Sequence, residues 1–122
     1  MNLNDIRIDL SYLDEVAGGN AEFLVEMIDI FLQQTPKYVN DLKLAIDEKN
    51  WKGIAETAHK IKPTLTFIGL LKEQEEMANI ERQARSEENY EGIKISFDSL
   101  CQVFDIAYKS LEIKKNELIA NF

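Results

Sequence analysis

The chain has 122 residues, with 22 acidic against 14 basic side chains and a formal charge of −8. Its 45% apolar residues exclude a disordered segment, and 5 Gly and 2 Pro are too few for a many-turned β fold. The length is one domain's worth, taken as residues 1–122, and the charge disfavours nucleic acid and anionic lipid as partners.

The opening Met1-Asn2-Leu3-Asn4-Asp5 lacks the basic-then-apolar order of a signal peptide. A short first helix is predicted with Leu10, Leu13 and Val16 on one side, ended by Gly18-Gly19, with Asn20 capping the next. From there Leu24, Met27, Ile28, Phe31, Leu32, Tyr38, Val39, Leu42, Ala45 and Ile46 recur at spacings of three and four, an amphipathic helix. Thr35-Pro36 inside it reads either as a kink or as a stop and restart. Asp47-Glu48-Lys49-Asn50 is a polar break. A helix from Trp51 to Gly69 follows, with Ile54, Ala58, Ile61, Leu65 and Ile68 facing the core. The next runs from Leu70 to about Arg85 and carries Met77, Ile80 and Ala84; its Lys72-Glu73-Gln74-Glu75-Glu76 run reads as a solvated face. After Ser86-Glu87-Glu88-Asn89, a last helix begins near Tyr90 and holds Ile93, Phe97, Leu100, Val103, Phe104, Ala107, Leu111, Ile113 and Leu118. Cys101 reads as a buried thiol, and one Cys asks for no oxidising compartment. Lys114-Lys115 suits the negative end of a helix dipole and needs no partner. Four long amphipathic segments predict an all-α, antiparallel up-down-up-down four-helix bundle with a short additional N-terminal helix at one end. No apolar run approaches the roughly 20 residues of a membrane span, so a soluble, cytoplasmic protein is expected.

The chemistry centres on one residue. His59 is the sole histidine of the chain. On a helical wheel it points away from Ile54, Ala58, Ile61, Leu65 and Ile68, into a patch of Lys52, Ala55, Glu56, Lys62, Pro63 and Thr66, with Phe67 at the margin. An exposed neutral imidazole is a competent nucleophile at pH 7. Lys62, one turn on, leans back toward it and would hold the oxygens of a phosphoryl group on the ring. Pro63 removes the donor to the His59 carbonyl, which predicts a slight kink or loosened turn there. Glu81 and Arg85 lie one turn apart and either pair with each other or bring Arg85 to the site.

The segment Ala58-His59-Lys60-Ile61-Lys62-Pro63-Thr64-Leu65-Thr66-Phe67-Ile68-Gly69 resembles the phospho-acceptor motif of histidine-containing phosphotransfer (HPt) domains. That motif has Lys three residues and Gly ten residues after the His, matched by Lys62 and Gly69; Pro63 stands where the family usually has Gly. Asp9-Leu10-Ser11-Tyr12-Leu13, Gly18-Gly19, Phe23-Leu24 and Phe31-Leu32 resemble the family's N-terminal half.

The resemblance implies a four-helix bundle with the His exposed mid-helix, and a carrier rather than an enzyme. The carrier takes a phosphoryl group from the aspartyl phosphate of a receiver domain and passes it to another receiver. On this reading His59 accepts the phosphoryl on Nε2 and Lys62 stabilises it. Ala55, Pro63, Thr66, Phe67 and Gly69 form or permit the docking surface. The partners are response-regulator receiver domains and a hybrid sensor histidine kinase, with no nucleic acid and no membrane. The receiver supplies the acidic pocket and Mg²⁺, so no cofactor or metal of the chain's own is expected, and the chain is a monomer.

Two rivals share parts of the pattern. The phospho-acceptor segment of a sensor histidine kinase also pairs His with a basic residue at +3, but its Pro falls one place later and an acidic residue stands where Lys60 is here. A non-phosphorylated HPt-like module that only binds receivers shares every feature except a working His59.

Overall fold

The computed structural model describes residues 7–122. Met1 to Asp5, read above as lacking the order of a signal peptide, lie outside them. Among the described residues there are five helices and no strand: α1 (Ser11–Ala17), α2 (Ala21–Asp47), α3 (Trp51–Phe67), α4 (Leu71–Arg85) and α5 (Tyr90–Ala120).

The boundaries follow local chemistry. Asn20, Asn50 and Asn89 each accept, through the side chain, the orphan N–H three residues on, from Phe23, Gly53 and Gly92. At α1 the carboxylate of Asp9 takes the N–H and hydroxyl of Ser11 at 2.9 and 2.6 Å. Gly18 ends α1 in the left-handed region at φ 63°. α2 continues through Pro36 as one helix, which removes the stop-and-restart alternative; Thr35 caps nothing and is buried.

α3 packs on α2 and α4, and α5 closes the ring against the same two helices; α1 lies on α2. The core runs through all four long helices, with Ile28 and Leu42, Ile54, Ile61 and Leu65, Met77 and Ile80, and Ile93, Leu100, Phe104 and Leu111 essentially without solvent contact. Burying each such side chain contributes about 1.5–3 kcal/mol of transfer free energy.

Several apolar positions fall differently from the periodicity reading. Val16 and Ile113 are exposed, and Leu13 with Ala17 is what α1 buries. α1 is only two turns long, so its core stripe is a single pair of residues. In the Lys72–Glu76 run, Glu73 is buried, because it lies one turn before Met77 on the inward face of α4. Lys115 does have partners: Asp29 of α2 at 2.9 Å and Glu112 at 3.5 Å, tying the C-terminal part of α5 to α2. Cys101 is half-buried rather than buried. Its burial, with Asp98 and Asp105 nearby, pushes the thiol up to about 11, so it stays neutral.

The turn after α3 is held from outside the bundle. The Asp9 N–H donates to the Ile68 carbonyl at 2.8 Å. A Cβ on Gly69, at φ +77°, would stand 2.5 Å from the Asp9 Cβ and 2.8 Å from its carbonyl oxygen. Gly69→Ala is therefore expected to destabilise the protein by about 1–3 kcal/mol, combining left-handed strain with the clash. Denaturant unfolding would measure it; an unchanged midpoint would mean that the strap does not constrain this turn.

Candidate functional site

α3 and α4 pack on each other and both bury small residues. α3 buries Ala55 and Ala58, and α4, packed against it, buries Ala78 and Ala84. Ala55 is 2% exposed, so its place in the exposed patch is corrected: it is one of these buried residues. The packing lets side chains at the seam meet across it.

His59 stands at that seam with its side chain 64% exposed. Its Nδ1 lies 3.1 Å from Oε2 of Glu81, which reaches over from α4. Glu81 is only 9% exposed at the side chain, and three cationic or protic groups converge on it. Lys62 Nζ touches Oε1 at 2.7 Å, an ion contact off the line of a good hydrogen bond. Arg85 gives Oε2 two N–H groups, Nη2 at 2.7 Å and Nε at 3.0 Å. Burial opposes the charged carboxylate, but the contacts with Lys62 and Arg85, and the charge of Lys62 and His59, outweigh it and hold Glu81 at about 2.

That charge state decides the tautomer. An ionised carboxylate only accepts, so the ring nitrogen against it carries the hydrogen. In the neutral imidazole the lone pair is then on Nε2.

The other residues singled out in the sequence are placed as follows. Pro63 is exposed, and α3 runs past it to Phe67 unbroken; the lost bond to the His59 carbonyl does not end the helix. Thr66 is half-buried, and its carbonyl accepts from the Gly69 N–H at 3.0 Å. Phe67 is 39% exposed and stacks on Tyr12 of α1, centroids 5.7 Å apart. It borders an apolar groove with Met27, Ile30 and Phe31 of α2 and Val16 of α1. Gly69 lies about 15 Å along the helix from His59 by helical rise and is occupied with Asp9. The structure thus joins His59 and Lys62 with Arg85; Ala55 is buried, and Gly69 packs against Asp9.

Sequence reasoning passed over Glu81 as a site residue. The signal was there. On α4, Glu81 lies one turn after Met77 and beside Ile80 and Ala84, a carboxylate on the core-facing stripe. Such a carboxylate has to find cations, and the opposing helix offers Lys62 and His59.

A family model described as Hpt domain matches residues 26–103, a span that takes in His59, Lys62, Gly69, Glu81 and Arg85. No curated protein and no solved structure matches the chain.

Proposed function

The chain belongs to the Hpt domain family, phosphotransfer modules of His–Asp phosphorelays that act with receiver domains and kinases, and from that premise we propose that it carries a phosphoryl group on Nε2 of His59. The observation that carries this reading is the exposed imidazole whose Nδ1 is held by an ionised, nearly buried Glu81. The Nε2 lone pair attacks the phosphorus of a receiver's aspartyl phosphate. The P–O bond to the aspartate breaks and its electrons leave with the carboxylate. Positive charge that develops on the ring is met by Glu81 through the Nδ1–H, as a buried carboxylate supports imidazolium elsewhere. Glu81 is a positioning residue, and Lys62 places a cation for the phosphoryl oxygens. Return to a second receiver reverses the bonds: the P–N electrons go back to Nε2.

Pro63, Thr66 and Phe67, with the groove beside Phe67, form the docking surface on this reading. The helices run up-down-up-down, the protein is a cytoplasmic monomer, and the receiver supplies the acidic pocket and its Mg²⁺. No helix among the described residues is long and apolar enough to cross a membrane.

Incubation with a phosphorylated receiver tests the proposal. Acid-labile phosphate on His59 is the expected result; binding without label supports the interaction-only module. Pro63 is the observation that keeps that second reading in view. Pro63→Gly is expected to change phosphoryl uptake by less than about threefold, because α3 already passes Pro63 unbroken. A large gain would mean that Pro63 had disabled the acceptor.

A further inference from the structure

We propose that the groove beside Phe67 binds a small neutral molecule, a ring or short aliphatic body carrying one hydroxyl or carbonyl, and that a molecule seated there keeps a receiver off the docking surface. The site stands on the groove itself; its effect on docking rests on the carrier reading above.

Size and lining set the body of the ligand. The groove lies between α1, α2 and α3, with Leu13 and Val16 from the first, Met27, Ile30 and Phe31 from the second, and Phe67 from the third. Its volume is about 230 Å³. A cavity of about 150 Å³ lined by aliphatic and aromatic side chains holds benzene, so this one has room for a ring with a short side chain. Among the described residues, none that lines it is charged. A charged ligand would give up its hydration there with no opposite charge to replace it.

Two threonines set the polar group. Thr64 and Thr35 line the groove from α3 and α2. Thr64 gives its hydroxyl to the Ile61 carbonyl at 2.6 Å, the ordinary use of a hydroxyl inside a helix. Thr35 is 1% exposed, and its hydroxyl finds no hydrogen-bond partner among the described residues. A buried hydroxyl left unpaired is costly, and a ligand hydroxyl or carbonyl would pair it. The oxygen is covered as the groove stands; the two χ1 wells open to a helical Thr let it turn to a group seated there. Phe67 belongs to the groove and to the docking surface, so a ligand here and a receiver compete for one face.

The test uses two probes of one shape, para-propylphenol and para-propyltoluene, titrated against the full chain while methyl resonances are followed. Para-propylphenol should bind saturably and shift the methyls of Met27 and Ile30, and leave in place those of Ile113, which is exposed on α5 outside the groove. Thr35→Val should weaken para-propylphenol by about five- to tenfold and leave para-propyltoluene within about twofold. An equal effect on both probes would overturn the proposal. So would equal shifts at Ile113, since exposed apolar side chains at large would then be taking up the probe. Thr35→Val removes a hydroxyl that nothing holds, so its unfolding midpoint should not fall. Should it fail to fold all the same, the wild-type titration decides, and unmoved Met27 and Ile30 methyls overturn the site. With about nine tenths of the groove filled and the receiver below saturation, labelling of His59 should slow roughly tenfold, in step with the free fraction. Unchanged labelling at that occupancy overturns the competition. A wild type that takes no label even without probe removes the carrier reading instead, and the groove result stands apart from it.

Discussion

Replacing His59 with Gln is expected to abolish acid-labile phosphoryl uptake while leaving helix content and unfolding midpoint nearly unchanged. The two halves of that expectation have separate causes. Uptake is lost because the amide nitrogen of Gln has no lone pair to attack phosphorus, and the chain holds no other imidazole. The fold is kept because the His59 side chain contributes nothing to the core and Gln is a good helix former. The Gln amide can still donate to Glu81, whose stronger partners Lys62 and Arg85 remain. A stability change within about 0.5 kcal/mol fits a surface substitution of this kind. Labelling with a phosphorylated receiver, with circular dichroism on the same samples, reads both halves. Label that persists would move the acceptor to another side chain and end the assignment.

The helices and their core were legible from periodicity because long segments sample the 3.6-residue repeat many times. α2 and α5, at 27 and 31 residues, repeat often enough to fix most of the apolar face. α1 has 7 residues and too few repeats to choose between Val16 and Ala17. Ile113 was misjudged for a different reason: α5 continues to Ala120, and in its last turns the inward side is taken by Leu111, Lys115 and Leu118. The exposed His59 was legible for the same reason as the core, since knowing the buried stripe of α3 fixes what points away from it. Ala55 was misplaced because a wheel of one helix cannot show how closely a second helix approaches. Only the α3–α4 contact reveals that a methyl at this edge is covered. The sequence shows Glu81 only as a partner for Arg85, because its role toward His59 and Lys62 exists only between helices. Its partners on α3 are 19 and 22 residues away in sequence, a relation that no intrahelical spacing encodes.

Glu81→Gln should slow phosphoryl acceptance by about 10- to 100-fold and should also remove part of the protein's sensitivity to acid. The kinetic effect follows from the loss of one charged hydrogen bond to the ring. Such bonds contribute about 1.5–3 kcal/mol, and each 1.4 kcal/mol is a factor of ten in rate. Gln can still accept from Nδ1–H, so the tautomer is kept and the loss isolates the compensation of developing charge. Glu81→Asp should recover part of the rate, whereas a residue with a merely structural role would gain nothing from a shorter carboxylate. The acid effect has a definite sign. Glu81 sits at about 2 in the folded protein against an ordinary value of 4.5. The depressed carboxylate therefore stabilises the fold above about pH 4.5, and that contribution is lost as pH falls through about 2. Its size is on the order of 2–3 kcal/mol, carried by a side chain shielded enough that salt screens it poorly. Unfolding free energies measured between pH 5 and pH 2 should fall more steeply for wild type than for Glu81→Gln. Parallel curves would mean that the carboxylate is not held by Lys62 and Arg85 in solution. The support for the Nδ1–H would fall with it, because a carboxylate free to protonate in the ordinary range no longer needs to sit against the ring.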